Sequence, residues 1–258
     1  MTFKHFFIFV VLLVLCTTRI LAQGYELKTI VIDAGHGGRK PGASGAISTE
    51  KDVALKIALK LGAEIKSQLP QIHIIYTRTT DVDVDLYKRA EIANNAKADL
   101  FISIHCNSMP KGKSYVDGVE TLVAGSHRLQ EQDAAIRENA DIKLEKNYKE
   151  NYSGYDPADP ASFIMLSLLK NTFRDKSIGF ARLIQNNYVN NYKRTDRGVK
   201  EQGVLVLQRC GMPAVLAEVG FISNPTEEKY INSSKGQEEI VGCIVDAIKL
   251  YKKNIEVK

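Results

Sequence analysis

The chain has 258 residues, 44% of them hydrophobic and 25% charged, with a formal net charge of +5. The charge is mild and has no basic run of the kind that tracks a phosphate backbone, which excludes a nucleic-acid binder. Four cysteines at wide spacing exclude a disulfide-built scaffold.

The N-terminus differs from the rest of the chain. Lys4 precedes an apolar run over residues 6–16, then come small or polar residues and Ala22 before Gln23. This pattern predicts a secretory signal peptide, residues 1–22, cut after Ala22. The apolar run falls short of the ~20 residues that a membrane span needs, so no stable span is expected after cleavage. Cleavage removes Lys4 and Arg19, leaving 33 basic against 30 acidic residues, a net +3. Cys106, Cys210 and Cys243 remain, each beside apolar neighbours, and are expected as buried free thiols.

Strand and helix signals then alternate. Strands are predicted at 27–33, 73–78, 100–105, 118–124, 204–208 and 214–219. Several are continuous apolar runs, as expected of strands covered on both faces. Residues 50–69 place Val53, Ile57, Leu61 and Ile65 on one helical stripe. Shorter helices are predicted over 86–97 and 177–192. A last helix starts at Ser234, with Ser234 and Gln237 as a capping box. Residues 127–176 break the rhythm: a charged helical stretch precedes Asp159–Pro160 as a helix start and an apolar turn over 163–169. The expectation is one α/β domain, residues 23–258, with a roughly six-stranded, mostly parallel or mixed sheet flanked by helices. A helical insertion, 127–176, stands on one rim of the sheet.

Chemistry-bearing residues collect at strand ends. In "TIVIDAGHGG", His36 comes after a strand and sits among glycines. In "FISIHCNS", a second strand runs into His105. Two histidines at the carboxyl rim of an open α/β sheet point to a metal site, and imidazole suits zinc. Glu50, at the first turn of the long helix, is the candidate third ligand, although an acid there also suits the helix dipole. Glu218 ends the apolar strand of "AVLAEVGFISN". A carboxylate buried there is costly unless it is paired or functional, and a raised pKa would suit a general base. His73, at a strand's start, and His127, in a charged helix, are read as ordinary.

Taken together, "IVIDAGHGG", "STEKDVALKIA", "FISIHCNS" and "AVLAEVGFISN" resemble, in order, the four signatures of the zinc-dependent N-acetylmuramoyl-L-alanine amidases of the cell-division type. Cys106 replaces a commoner alanine. The resemblance implies His36, Glu50 and His105 as ligands of one zinc ion and Glu218 as the catalytic acid/base. It implies peptidoglycan as substrate, cut between N-acetylmuramic acid and L-alanine. It also implies that the insertion covers the zinc, with Glu138 or alternatively Glu145 reaching it, until an activator protein removes the segment. The glycines around His36 would leave room for a glycopeptide. An exported, periplasmic monomer is expected. Another zinc amidohydrolase or peptidase, or a non-catalytic wall-binding module, remain the alternatives.

Overall fold

A computed structural model describes residues 26–125, 132–156, 159, 161–162 and 172–256. The expected signal peptide, His127 and the apolar turn at 163–169 lie outside the described residues. Among the described residues no helix is long and apolar enough to cross a membrane.

The first strand shows why the sheet is central. In β1 (Thr29–Ala34) every residue after Thr29 is buried, so both faces need cover. β1 pairs in parallel with β2 (His73–Tyr76) and β3 (Leu100–Asn107), and β3 pairs in parallel with β6 (Ala214–Phe221). β6 meets β4 (Val119–Ala124) antiparallel, and β4 meets β5 (Asp196–Gln202) in parallel. The order is β2-β1-β3-β6-β4-β5, a mixed six-stranded sheet.

One face is covered by α1 (Glu50–Gln68), α5 (Arg174–Tyr192) and α8 (Ser234–Glu256). The α1 stripe Val53, Ile57, Leu61 and Ile65 is fully buried there with Phe180, Ile184, Ile244 and Ile248. The other face is covered by α2 (Leu86–Asn95), by the short α6 (Leu205–Gln208) and by part of the insertion. Within the insertion, α3 (Asp133–Asn139) runs into a 3-10 turn (Ala140–Leu144) and then α4 (Tyr148–Asn151). Its Ala134, Ala135, Ile142, Tyr152 and Tyr155 join the second core against Val204, Leu205 and Leu216.

Several expectations need correcting. Residues 204–208 are not a strand. Val204 precedes the helical turn α6, whose first amide, Leu205 N, donates to Asn139 Oδ1 at 2.9 Å. A short apolar run is equally compatible with a buried helical turn, and here the insertion caps it. The fifth strand is instead Asp196–Gln202, a polar segment tolerated because it forms the sheet edge. The cap of α8 falls one residue earlier: Ser233 Oγ accepts from Gly236 N at 3.0 Å, while Gln237 turns back to Ile231 O. α5 starts at Arg174 rather than at 177. The charged stretch of the insertion forms short pieces because Asn147 takes a left-handed conformation, φ 55°. Asp159 does accept from Ala161 N, at 2.9 Å. The sequence pattern also gave no warning of α7 (Pro225–Asn232), which Asn224 caps through Thr226 N and Glu227 N. Cys106 and Cys243 are buried free thiols, but Cys210 is only half-buried.

α7 supports the loop that leads into α1. Glu228 accepts from Ala46 N, Ile47 N, Ser48 N and Ser48 Oγ at 2.8–2.9 Å. These donors, opposing burial, hold its carboxyl below the usual range. Glu228→Ala should therefore cost on the order of 1–3 kcal/mol. Faster amide exchange confined first to residues 46–48 would check it; unchanged exchange there would sink the assignment.

Candidate metal centre and active site

The sheet lines up three of the four expected residues. His105 and Glu218 are register partners on neighbouring parallel strands, so their side chains share a face. His36 lies just beyond β1, on the other side of β3. Glu50 is the first residue of α1, and the loop before it does return it to the histidines. Glu50 Oε1 lies 3.0 Å from His105 Nδ1 and Oε2 lies 3.2 Å from His36 Nε2. The same carboxylate accepts from Cys106 N at 2.9 Å and Ala43 N at 2.8 Å, which fixes its orientation.

The glycines serve this closeness. A Cβ on Gly35 would fall on the His105 ring, and one on Gly42 would lie 2.6 Å from both Glu50 Oε2 and His36 Cδ2. These two make room for the cluster itself, while Gly37 and Gly38, beside His36, lie against Val82, Arg78 and Asp83 rather than open space for a bulky ligand. His36 adopts φ 57°, a left-handed conformation unusual outside glycine. Two buried arginines offset the strained turn: Arg78 donates to Ala34 O and Gly35 O, and Arg89 to Ala34 O and His36 O. Arg89 is neutralised by Asp33 at 2.7 Å, which also accepts from Thr77 and Ser103 hydroxyls.

The insertion adds a fourth ligand-type group. Glu138 Oε2 lies 2.8 Å from His105 Nδ1 and 3.4 Å from His36 Nε2. Ligand atoms of His36, Glu50, His105 and Glu138 all fall within 4.8 Å of one another, and all four residues are buried. Yet, for all these close ionic contacts, His36 Nε2 and Glu138 Oε2 make no well-aligned hydrogen bond among the described residues. They point at a shared centre rather than at each other. Tetrahedral zinc with ligands at ~2.0 Å has ligand–ligand edges of about 3.3 Å, close to these contacts, and imidazole with carboxylate is a zinc donor set.

The electrostatics agree. Burial opposes a proton on His36, but Glu50, Asp141 and Glu138 outweigh it and hold the pKa well above 6.5. Burial is likewise overcome at His105, which Glu138 and Glu50 raise to about 10. Burial would raise Glu138, but His105 lowers it to about 2. The carboxylates thus favour positive charge where the four side chains converge. Glu218 behaves oppositely: burial, then the charges of Glu138 and Glu50, lift its pKa well above 4.5. Among the described residues neither of its oxygens has a hydrogen-bond partner, and Arg137 Nη2 stands 3.8 Å away.

Of the two insertion candidates only Glu138 reaches the cluster. Glu145 is bound to Lys40 Nζ, Leu86 N and Tyr152 Oη. His73 is exposed at the start of β2. The sequence motifs assigned no role to Asp33, Arg78 or Arg89, whose bonds to Thr77, Ala34 and Asp33 span more than forty residues. Nor did they mark Asp141, whose Oδ2 lies 2.7 Å from His36 Nδ1.

Fold and site together define an α/β domain whose parallel strands carry a His/Glu metal-type cluster at their carboxyl ends. Residues 30–250 match the amidase-3 family, described as N-acetylmuramoyl-L-alanine amidase, and the chain belongs to that family. Membership makes it a hydrolase of a carbon–nitrogen amide bond in peptidoglycan. It is 31% identical over 224 residues to N-acetylmuramoyl-L-alanine amidase AmiC of Escherichia coli O6:H1, with 86% of this chain covered. The chain spans about half, 52%, of that relative's length. An N-acetylmuramoyl-L-alanine amidase from Clostridium difficile 630 superposes with a TM-score of 0.67 at 28% identity, covering 89% of this chain and 98% of that one. The CwlD amidase from Clostridioides difficile, solved in complex with the GerS lipoprotein, gives a TM-score of 0.64 at 26% identity, covering 88% and 99%.

Asp33 tests how the turn is held. Burial would raise its pKa, but Arg89, Ser103 and Thr77 lower it below the ordinary 3.8. Its ionised form therefore stabilises the fold above that pH, and the contribution fades as pH falls below it. Asp33→Asn leaves Arg89 buried and unpaired, at a cost of about 3–5 kcal/mol near neutrality. Urea midpoints of mutant and wild type should converge below pH 3.8; a gap that persists in acid would refute this account.

Proposed function

We propose that His36, Glu50 and His105 hold one catalytic zinc ion and that Glu218 is the acid/base of an N-acetylmuramoyl-L-alanine amidase. The bond cut is the amide between the lactyl group of N-acetylmuramic acid and L-alanine of the stem peptide. The observation that carries the reading is the convergence of buried ligand atoms beside an uncommitted, buried Glu218. Bound zinc supplies Lewis-acid activation of water and of the scissile carbonyl. Glu218 takes the attacking water's proton and returns it to the departing nitrogen.

The insertion is the off-switch of this reading. Glu138 lies where a fourth ligand would, and the void left at the cluster is about 20 Å³, room for about one water and none for a sugar or peptide. Substrate enters only when this segment moves, and an activator protein gripping the insertion, including its apolar turn at 163–169, would move it. A related amidase solved with a protein partner supports that role. The enzyme would act after export, in the periplasm and as a monomer, on wall remodelling or daughter-cell separation.

Residues 23–258 should carry about one zinc and release peptides that begin with L-alanine. Glu218→Gln should keep the metal and lose on the order of 10²–10⁴ in rate, whereas His105→Ala should lose the metal. A chain without zinc would end the proposal. Removing residues 130–175 should leave zinc bound and raise basal hydrolysis of purified sacculi. Retained zinc with an unchanged rate would discard the occlusion.

A further inference from the structure

Arg137 and Glu138 are consecutive, and each occupies a separate part of the site. Glu138 presents a carboxylate to the His/Glu cluster. Arg137 Nη2 donates to Asn107 Oδ1 at 2.7 Å and stands 3.8 Å from Glu218 Oε1. The surroundings of this guanidinium are built to receive a cation. Asn107 is buried, and its Nδ2 donates to Glu120 Oε1 at 2.8 Å. A carboxylate can only accept, so Glu120 turns the amide oxygen of Asn107 toward Arg137. Lys200 Nζ, 2.6 Å from Glu120 Oε2, anchors that carboxylate. Glu120 and Glu218 are themselves register partners across the antiparallel β4–β6 pair. Beside them opens a cleft of about 260 Å³ lined by Asn107, Met109, Glu120, Arg197, Lys200 and Phe221.

We infer that the Arg137–Glu138 pair imitates the two products of amide hydrolysis, and that Asn107 with Glu218 forms the subsite for the departing amine. The inference rests on the proposed amidase reading. In the reaction the C–N bond breaks and a C–O bond forms. Both hydrogens of the water end on nitrogen, so the products are a carboxylate and an ammonium. Glu138 stands for the first, at the metal cluster, and Arg137 for the second, between Asn107 and Glu218. This sets the direction of the substrate. The muramyl side lies over His36 and His105, and the stem peptide runs from Asn107 into the cleft. There Arg197, stacked on Phe221 with its guanidinium 4.9 Å from the ring centroid, faces the peptide's carboxylates. Asn107 is the residue that touches the amine; Glu120 is a positioning residue that acts through it.

The test uses the zinc-loaded full chain carrying Arg137→Ala and Glu138→Ala, which empties both places even if the segment stays docked. The probes are the dipeptide L-Ala-D-Glu and its N-acetyl derivative, which lacks the ammonium, titrated by calorimetry with metal content measured in parallel. The free-amine dipeptide should bind about tenfold or more tightly than the acetylated one. Adding Asn107→Leu should erase that preference while zinc stays bound. Glu120→Gln, which frees the amide to flip, should reduce the preference without touching the ligand. Equal affinities, no binding of either dipeptide, or a preference that survives Asn107→Leu would overturn the subsite. Absence of zinc would instead count against the metal assignment beneath it.

Discussion

Two imidazoles and two carboxylates are taken out of water at one point, and most of the local architecture answers to that. A lone buried carboxylate costs several kcal/mol unless it is paired and hydrogen-bonded. Glu50 meets the cost with one backbone amide from β3, one from the loop before α1, and both histidines. The loop that brings it there must make a tight return, so glycines stand at 35 and 42 where any side chain would strike the cluster. The turn at His36 leaves its carbonyls facing inward, and Arg78 and Arg89 satisfy them. Arg89 in turn requires Asp33, which lies on β1 itself. The chain of compensation runs from a ligand cluster to the centre of the sheet without a gap.

The insertion belongs to this arrangement and is not a loose flap. Its apolar side chains fill the second core, and Asn139 bonds Tyr155 Oη, Gly203 O and Leu205 N at no exposure. Lys40 and Glu145 form an ion pair sealed from solvent on both sides. Lifting this segment exposes apolar surface and separates buried charges, each of which costs free energy. The site and the core are therefore coupled: the same helix that carries Glu138 to the cluster packs Ala134 and Ala135 beneath it.

The places where sequence pattern and structure part company have a common physical basis. The run at 204–208 is apolar enough for a strand, but its conformation is set by Asn139, sixty-six residues from Leu205, which caps it as a helical turn. The true edge strand, "DRGVKEQ", carries charges because only one of its edges is paired, so it lacks the hydrophobic signal of the central strands. The cap of the last helix moves by one residue between two adjacent serines, a distinction decided by which hydroxyl reaches Gly236 N.

What the sequence singled out by itself was a set of candidate chemistry-bearing residues. His36, His105 and Glu218 are each marked by an apolar strand ending in a polar side chain, and Glu50 by the start of an amphipathic stripe. These are local patterns, and local patterns survive in one dimension. The tertiary structure alone decided which groups meet. It brought Glu138 to the histidines and sent Glu145 to Lys40, although both lie on the same inserted segment. It also set Arg137 beside Glu218 and turned the oxygen of Asn107 toward it. Such pairings depend on contacts across tens of residues, where sheet order and core packing, rather than neighbouring residues, fix the distance between two side chains.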